Sequence, residues 1–425
     1  MSTTSTSALR RILLAALWLS AAAVADETIV DFGGHSKTWL LADGYPEDSA
    51  FHQLTGDGAA SLQQELRLNL RIDKGPWGLD AAWQIFGTWG DRVELLREAS
   101  DASLPGIVFP PNDDRRLMNL TDSLYDEGKL VAVHRLDRLA VTWSGDKLVV
   151  RAGRQAISWG NGLAFAPMDI VNPFDPATID TEFKFGDDMI YAQYLLDSGN
   201  DVEFAHVFRR DIVSGDVESV ESTTAAKYHG IIGDAGFDLL VGRHRGDATI
   251  GIGGNKSIGG AVVHGDLVWI DTDSGSRLQF VTNVSYSWVW GGRNVSGFAE
   301  YYFSEFGQRG GRYDLDSLSQ NTELLERLAR GESFTLGRNY LAAGATIEVT
   351  PLWLLTPNLF ANLDDGSALL QIVTRNSLSD DVEFLGALNL PLGPNGSEYG
   401  GIGTPIPGVY LSTDYSIFAQ VAWYF

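Results

Sequence analysis

The chain has 425 residues, no cysteine and a formal net charge of −24 at pH 7. The absence of cysteine excludes disulfide cross-links and thiolate metal sites. The acidic excess argues against nucleic acid, whose phosphates need a basic surface. With 44% hydrophobic residues, 12 Trp, 14 Tyr and 20 Phe, the composition is that of a folded chain and not of an acidic disordered one.

The first residues read as an export signal. Arg10-Arg11 precede an apolar run from Ile12 to Val24, and Ala23-Val24-Ala25 forms a small-residue cleavage site before Asp26-Glu27. This pattern predicts a secretory signal peptide over 1–25 and a single mature domain over 26–425. The apolar run is too short to span a bilayer as a helix, and no later stretch reaches the required length. Any crossing of a membrane by the exported chain must therefore use strands.

Beyond residue 26 the chain falls into segments of period-two alternation separated by turn signals. They lie at 28–42, 61–73, 77–89, 130–144, 147–158, 187–197, 201–211, 223–232, 236–245, 247–255, 259–271, 276–288, 294–305, 336–349, 352–363, 367–375, 381–391 and 413–425. The lengths suit tilted strands crossing hydrocarbon. The count is 18, or 16 if the weakly patterned 28–42 and 247–255 are discounted. The links between them carry independent information. The long ones are the first, third, fifth, thirteenth and seventeenth, at 43–60, 90–129, 159–186, 306–335 and 392–412, and every even-numbered link is short. Confinement of long links to one parity puts loops on one side and tight turns on the other. That is the asymmetry of outer-membrane barrels, with short periplasmic turns and long extracellular loops.

The two faces of the strands differ as a barrel requires. Leu278, Phe280, Thr282, Val284, Tyr286 and Trp288 alternate with Arg277, Gln279, Val281, Asn283, Ser285 and Ser287; Leu66, Leu68, Leu70 and Ile72 oppose Glu65, Arg67, Asn69, Arg71 and Asp73. Charges on the second face would be costly in a dry core and fit a water-filled lumen. Trp77, Trp89, Trp143, Trp159, Trp269, Trp288, Trp353 and Trp423 sit near segment ends, as interfacial girdles do. The run His134-Arg135-Leu136-Asp137-Arg138 puts charge on both faces and does not comply. Arg154 falls on the outward parity, which calls for a bulge or a headgroup position. Asp314–Ala329 has leucines at helical spacing, predicting one amphipathic helix in the thirteenth link. The last stretch, TDYSIFAQVAWYF, alternates cleanly and stops on Phe425. It resembles the closing strand of Gram-negative outer-membrane barrels, in which a terminal Phe marks the chain for insertion.

The densest motif is GRQAISWGNGLAFAPMDIVNPFDP at 153–176. Asn172-Pro173 and Asp175-Pro176 fix rigid turns, because Asx side chains accept backbone bonds while Pro sets φ. A loop stiffened in this way can fold into the lumen as a constriction or simply plug a strand end. Gly153-Arg154-Gln155, Trp159-Gly160, Asp169, Asn172-Pro173 and Asp175-Pro176 resemble a pattern of porin-like outer-membrane β-barrel proteins of proteobacteria with unassigned substrate. Asn362–Ser367 and Ser397–Gly400 look like further segments of such proteins. The resemblance implies a large barrel with a channel role and supplies no substrate.

The candidate pore-lining residues on strands are Glu65, Arg67, Arg71, Asp73, Asp266, Arg277, Arg375 and Glu383. The candidate constriction residues on loops are Asp113, Asp114, Arg115, Arg116, Asp169, Asn172 and Asp175; the run at 113–116 reads either as charged rungs across a pore or as a solvated turn after Pro110-Pro111. Among seven histidines, His264 and Asp266 share a face, yet neither a Gly-x-Ser-x-Gly elbow nor a His-Glu-x-x-His motif accompanies them. Asp364-Asp365 and Asp380-Asp381 lack the ligand spacing of a calcium loop. The expectation is therefore no enzyme, no metal and no cofactor. It is an all-β transmembrane antiparallel up-and-down barrel in the outer membrane of a Gram-negative bacterium, embedded in lipid and lipopolysaccharide and inserted by the barrel-assembly machinery. Its expected role is passive diffusion of small hydrophilic solutes, with a cation preference following from the acidic balance. The alternatives are a non-conducting barrel of an export or assembly complex, and a barrel hydrolase. The sequence leaves the oligomeric state open.

Overall fold

The computed structural model describes residues 28–101 and 108–425, and the signal peptide expected at 1–25 lies outside the described residues. Eighteen strands follow one another as β1 (Ile29–Gly44), β2 (Gly58–Lys74), β3 (Trp77–Gly90), β4 (Leu130–Ser144), β5 (Leu148–Gln155), β6 (Asp187–Leu195), β7 (Asp201–Val207), β8 (Thr223–Ile232), β9 (Ala235–His244), β10 (Asp247–Ile258), β11 (Ala261–Thr272), β12 (Gly275–Trp290), β13 (Arg293–Ser304), β14 (Asn339–Thr350), β15 (Trp353–Asn362), β16 (Ala368–Ser377), β17 (Val382–Leu392) and β18 (Tyr415–Tyr424). Each pairs antiparallel with its neighbours, and β18 pairs with β1, with Tyr424 opposite His35 and Tyr415 opposite Gly44. The sheet is thus a closed 18-stranded barrel, the larger of the two expected counts. Among the described residues no helix is long and apolar enough to cross a membrane.

Closure is completed at the turn rim. Gly34 N donates to Phe425 O at 2.9 Å and Phe425 N donates to Gly34 O at 3.1 Å. A Cβ at Gly34 would lie 2.1 Å from Arg67 O and 3.1 Å from the Phe425 ring, so only glycine fits under the terminal aromatic. The even links, such as 75–76, 233–234, 259–260 and 291–292, all lie at this rim; the long loops lie at the other. Outward positions carry the apolar parity of the sequence: Ile417, Val421, Trp423 and Phe425 on the closing strand are exposed, whereas Gln420 and Ala422 face inward and are buried. Trp159 departs from the girdle expectation. It is buried inside the lumen, because the chain has already left the wall at that point.

Two irregularities explain what period two could not. The pairing of β3 with β4 shifts register, with Ala82 opposite Arg138 and Trp83 opposite Leu136, so Asp137 is a bulge residue. Beyond the bulge the parity flips, and Arg135, Asp137 and Arg138 all reach the lumen while His134 points outward. The second irregularity is the shortness of β5 and β7, at 8 and 7 residues. They stop well before the ends expected at 158 and 211, and fall below the length that crosses hydrocarbon.

The third loop makes good the missing wall. An unexpected strand, Thr121–Glu127, pairs with the loop-side half of β4, and Arg116 forms a bridge with Arg209 just beyond β7. The segment between them crosses over the ends of β5 and β6 like a lintel. Arg154 fixes it there, donating to Asp188 of β6 at 2.8 Å, to Asp113 at 2.9 Å and to Met118 O at 2.6 Å. Asp188 in turn accepts from Met118 N at 2.7 Å. Arg154 keeps its outward parity, opposite Leu139, yet it is 2% exposed because the lintel covers it; neither a bulge nor a headgroup position is needed. Arg116 lies 2.8 Å from Asp113, and Arg209 pairs with Asp187. In the thirteenth link one expected helix is two, Leu315–Ser319 and Thr322–Ala329, because Asn321 caps the second. Replacing Arg154 by Met should strand the buried carboxylate of Asp188, leave Asp113 with Arg116 alone, and destabilise the barrel by about 3–5 kcal/mol, read as a lowered urea midpoint of the folded, heat-modifiable form.

Candidate functional site

An 18-stranded barrel is too wide for its own side chains to fill. The fifth loop, residues 156–186, fills part of it by travelling round the inner wall, and its contacts follow the strands in order. Trp159 Nε1 donates to Glu203 of β7 at 2.7 Å. Asn161 donates to Asp266 of β11 from its backbone and side chain at 2.7 and 2.8 Å, and to Asp238 of β9 at 3.0 Å. Leu163, Ala164 and Phe165 present three successive backbone N–H groups to Glu300 of β13 at 2.6, 3.0 and 2.7 Å. Gln371 of β16 donates to Ala177 O at 2.9 Å. Lys37 of β1 then lies 2.6 Å from both Asp180 and Glu182, while Gln420 and Tyr424 of β18 bond the same two carboxylates. Last, the Phe183 ring lies 4.2 Å from the Arg67 guanidinium of β2, and Phe185 lies 4.5 Å from that of Arg135 on β4.

The circuit divides the lumen into a dry side and a wet side. On the dry side, Trp159, Met168, Ile170 and Val171 pack against Met189, Val207, Leu240 and Val268. Phe165 stacks on Tyr302 with ring centroids 4.6 Å apart. Burial of this apolar surface anchors the loop. On the wet side, between β18, β1–β4 and residues 180–185, a cavity of about 350 Å³ remains. Lys37, Glu65, Arg67, Arg135 and Asp137 line it together with Trp39, Phe86 and Phe418, and Pro111 of the third loop closes one flank.

Most of these charges are committed to one another. Arg67 and Arg138 share Asp137 at 2.7 and 2.8 Å, His35 bonds Glu65 at 3.0 Å, and Lys37 is held by its two carboxylates. Arg135 is different. Its Nε donates to Gln84 at 2.6 Å, its guanidinium sits between Phe86 and Phe185, and no carboxylate lies within 4 Å of it among the described residues.

Of the strand residues singled out from sequence, Glu65 and Arg67 line this cavity. Asp266 is buried beneath Asn161 and serves the dry side. Arg277 pairs with Glu323 of a loop helix at 2.7 Å. Arg71 and Asp73 pair at 2.7 Å toward the turn rim, and Arg375 lies 3.7 Å from Glu383. The loop residues are scattered. Asp113 and Arg116 belong to the lintel, Asp114 is exposed, and Arg115 lies 3.9 Å from Glu221. Asn172, at φ +52°, accepts from Arg209, and Asp175 receives Ala177 N at 2.8 Å. Asp169 pairs with Lys184 at 2.6 Å, tying the outgoing and returning arms of the loop together. Burial pushes the Asp169 carboxyl up to about 6 against the attraction of Lys184, and burial also lowers Lys184. For Asp180, burial works against ionisation, yet the bonds from Lys37 hold it below the ordinary carboxylate range. Sequence reasoning missed Lys37, Arg135, Asp137, Glu300 and the Phe183/Phe185 pair. The i, i+2 spacing of the two phenylalanines was the one readable signal, since it puts both rings on one side of an extended segment.

No family model matches the chain, and no curated protein matches it. Solved structures do match its fold. Pseudomonas aeruginosa OccK5 (OpdH) superposes with a TM-score of 0.53 at 9% identity, covering 93% of this chain and 98% of that one. A BenF-like porin from Pseudomonas fluorescens Pf-5 gives 0.52 at 8%, with 93% and 98% covered. Pseudomonas aeruginosa OccK2 (OpdF) in complex with glucuronate gives 0.51 at 8%, with 93% and 96% covered. At these identities the likeness is one of fold.

Two outcomes follow from the loop's attachments. Lys37→Ala removes the cation shared by Asp180 and Glu182, so the 180–183 segment should leave the wall; amide exchange of residues 180–183 should speed up while that of β1 and β18 stays unchanged. Asp169 carries a folded-state pKa above its unfolded value of about 3.9, so the folded state binds the extra proton between about pH 4 and about 6. The stability contributed by the protonated form is complete below the unfolded pKa and is lost as pH rises through the folded one. Amide exchange in 156–186, corrected for intrinsic rate, should show more protection at pH 4 than at pH 7, and Asp169→Asn should remove the difference.

Proposed function

We propose that this closed 18-stranded barrel, which shares its fold with outer-membrane porins, is a passive channel for small hydrophilic solutes in the outer membrane of a Gram-negative bacterium. The observation that carries the reading is the fifth loop. It circles the inner wall and leaves a cavity of about 350 Å³, lined by charges that can replace part of a solute's hydration.

The charge of the chain acts at two places. The acidic excess of −24 raises cation concentration at the mouths, which supports a cation preference for simple salts. Inside the cavity the fixed charges largely pair off, and the uncommitted guanidinium of Arg135 supports contact with a carboxylate on a larger solute. OccK2 was solved with glucuronate, a sugar carboxylate, and that chemistry suits Arg135 flanked by phenylalanine rings. Phe425 is proposed to serve as the insertion signal read by the barrel-assembly machinery, and lipid with lipopolysaccharide as the surroundings of the outward face.

Planar-bilayer recording tests the reading. The wild type should conduct, and Arg135→Gln should move the reversal potential in a salt gradient further toward cations. Glucuronate should block the wild type at least about tenfold more strongly than the variant, in proportion to a lost charge-assisted contact of roughly 1.5–3 kcal/mol. Insertion without any conductance would overturn the channel reading in favour of a non-conducting barrel.

A further inference from the structure

The charges of the lumen sort into two levels. In the cavity, Lys37, Arg67, Arg135 and Arg138 face Glu65, Asp137, Asp180 and Glu182, so with His35 neutral that level is balanced as a whole. Nearer the turns the balance fails. Arg71 lies four residues beyond Arg67 on the lumen face of β2, about 13 Å further along the strand. It stands in a row between Asp31 of β1 and Asp80 of β3, its directly opposite neighbours. The Arg71 guanidinium is already held by Asp73 at 2.7 Å. Asp31 and Asp80 are exposed, and neither has a cation within 4 Å among the described residues.

Two other strands repeat this at the same end of the barrel. Asp201 opens β7 on the parity of lumen-facing Glu203 and accepts from Gln193 at 3.1 Å. Glu348 of β14, on the parity of buried Tyr340, accepts from Asn294 at 2.6 Å. Neither has a cation within 4 Å among the described residues. Against these four carboxylates stands Arg151 of β5, which donates to Thr142 at 3.3 Å and has no carboxylate within 4 Å among the described residues. The four acids come from β1, β3, β7 and β14, each within four residues of its strand's end at the turn rim. They are thus distributed round the circumference of the mouth and do not form a local cluster.

A ring of like charges around an aqueous passage enriches counter-ions and excludes co-ions. Paired charges give little field, and these four are unpaired. We propose that this turn-rim ring is the ion filter of the channel: Asp31, Asp80, Asp201 and Glu348 set its cation preference and hold anionic solutes back at the turn-side mouth, while the balanced cavity does neither. The inference rests on the channel reading above and locates its selectivity. The ring also makes the two mouths unequal. A carboxylate arriving from the loops reaches Arg135 without crossing it, whereas one arriving from the turns must first pass four uncommitted acids. The equilibrium across a passive channel is untouched; the rates on the two sides differ.

Planar-bilayer recording of the full-length protein decides the matter. Asp31→Asn, Asp80→Asn, Asp201→Asn and Glu348→Gln, combined, keep the size of each side chain and break no ion pair. This ring variant should lower the permeability of potassium relative to chloride at least about threefold at low salt. Asp114→Asn with Asp316→Asn, a loop variant that neutralises two exposed carboxylates at the other mouth, should leave the ratio unchanged. At about 0.1 M salt, where the screening length is about 10 Å, glucuronate on the turn side should block the wild type about tenfold less often than from the loop side. The ring variant should be blocked equally from both. Heat-modifiable mobility identifies the folded barrel in each case. A permeability ratio unchanged in the ring variant, or lowered as much in the loop variant, overturns the inference and leaves the channel standing. A barrel that inserts without conductance overturns both.

Discussion

The structure depends on one constraint: a membrane wall cannot be left with open backbone edges. Lipid offers no partner for a bare N–H or C=O, so every stretch of wall at hydrocarbon depth must be paired. The chain breaks the wall when it turns inward after Gln155 and returns at Asp187. The loop-side half of β4 and the region beyond Val207 would then face lipid across a gap two strands wide. Thr121–Glu127 pairs with β4 and Arg116 bridges to Arg209, and the gap is filled. Arg154, with Asp113 and Asp188, holds the filler to the strand ends beneath it. The length of the third loop thus follows from the inward path of the fifth.

Inside, the same exchange of partners sets the chemistry. A loop that enters the lumen brings backbone polar groups that need acceptors and apolar side chains that need cover. Glu300 meets three of those N–H groups at once, which is why a carboxylate can sit buried on β13 with no cation within 4 Å of it among the described residues. Asp266, Asp238 and Glu203 likewise accept from Asn161 and Trp159, the last two with Lys227 of β8 also within 4.0 Å. Glu203, Asp238, Asp266 and Glu300 on the lumen face of β7 to β13 are therefore structural, spent on the uncharged outgoing arm of the loop at 159–165. Apart from Lys227, the cations around the loop gather on the opposite wall, at Lys37, Arg67, Arg135 and Arg138, where the loop returns with carboxylates of its own.

How much of this could be read from the sequence depends on what kind of regularity encoded it. Strand number and closure were legible because alternation recurs along most of the segments, and the parity of the five long links survives errors of several residues at any one strand. The closing strand ending in Phe425 was legible for the same reason. The lintel was not. Asp113 and Arg116 are ordinary loop residues until Arg154, some forty positions later, needs a carboxylate. Asn172-Pro173 and Asp175-Pro176 announced a stiff loop, but its direction was set by Glu300 and Lys37, which lie far away in sequence on strands patterned like any other. The expected pore residues were chosen by parity alone, and parity cannot tell a lumen position facing water from one facing an infolded loop. That is why Asp266 and Glu65 looked alike.

The bulge at Asp137 shows how finely the wet side is adjusted. With regular pairing throughout β4, Arg135 and Asp137 would face the lumen and Arg138 would be sent into lipid, at a cost of a few kcal/mol near the bilayer midplane. One extra residue turns Arg138 inward, where it shares Asp137 with Arg67 and caps Lys184 O. Asp137 is then neutralised twice over. Arg135, one turn of the pleat nearer the loops, is left with Gln84 and two phenylalanine rings and, among the described residues, no carboxylate within 4 Å. A paired charge presents little field to a passing solute, whereas an unpaired one in a narrow, partly desolvated cavity presents most of its own. The field inside such a cavity is therefore fixed less by the net charge of the chain than by which single group the pairing leaves over, and a one-residue slip in one strand is enough to choose it.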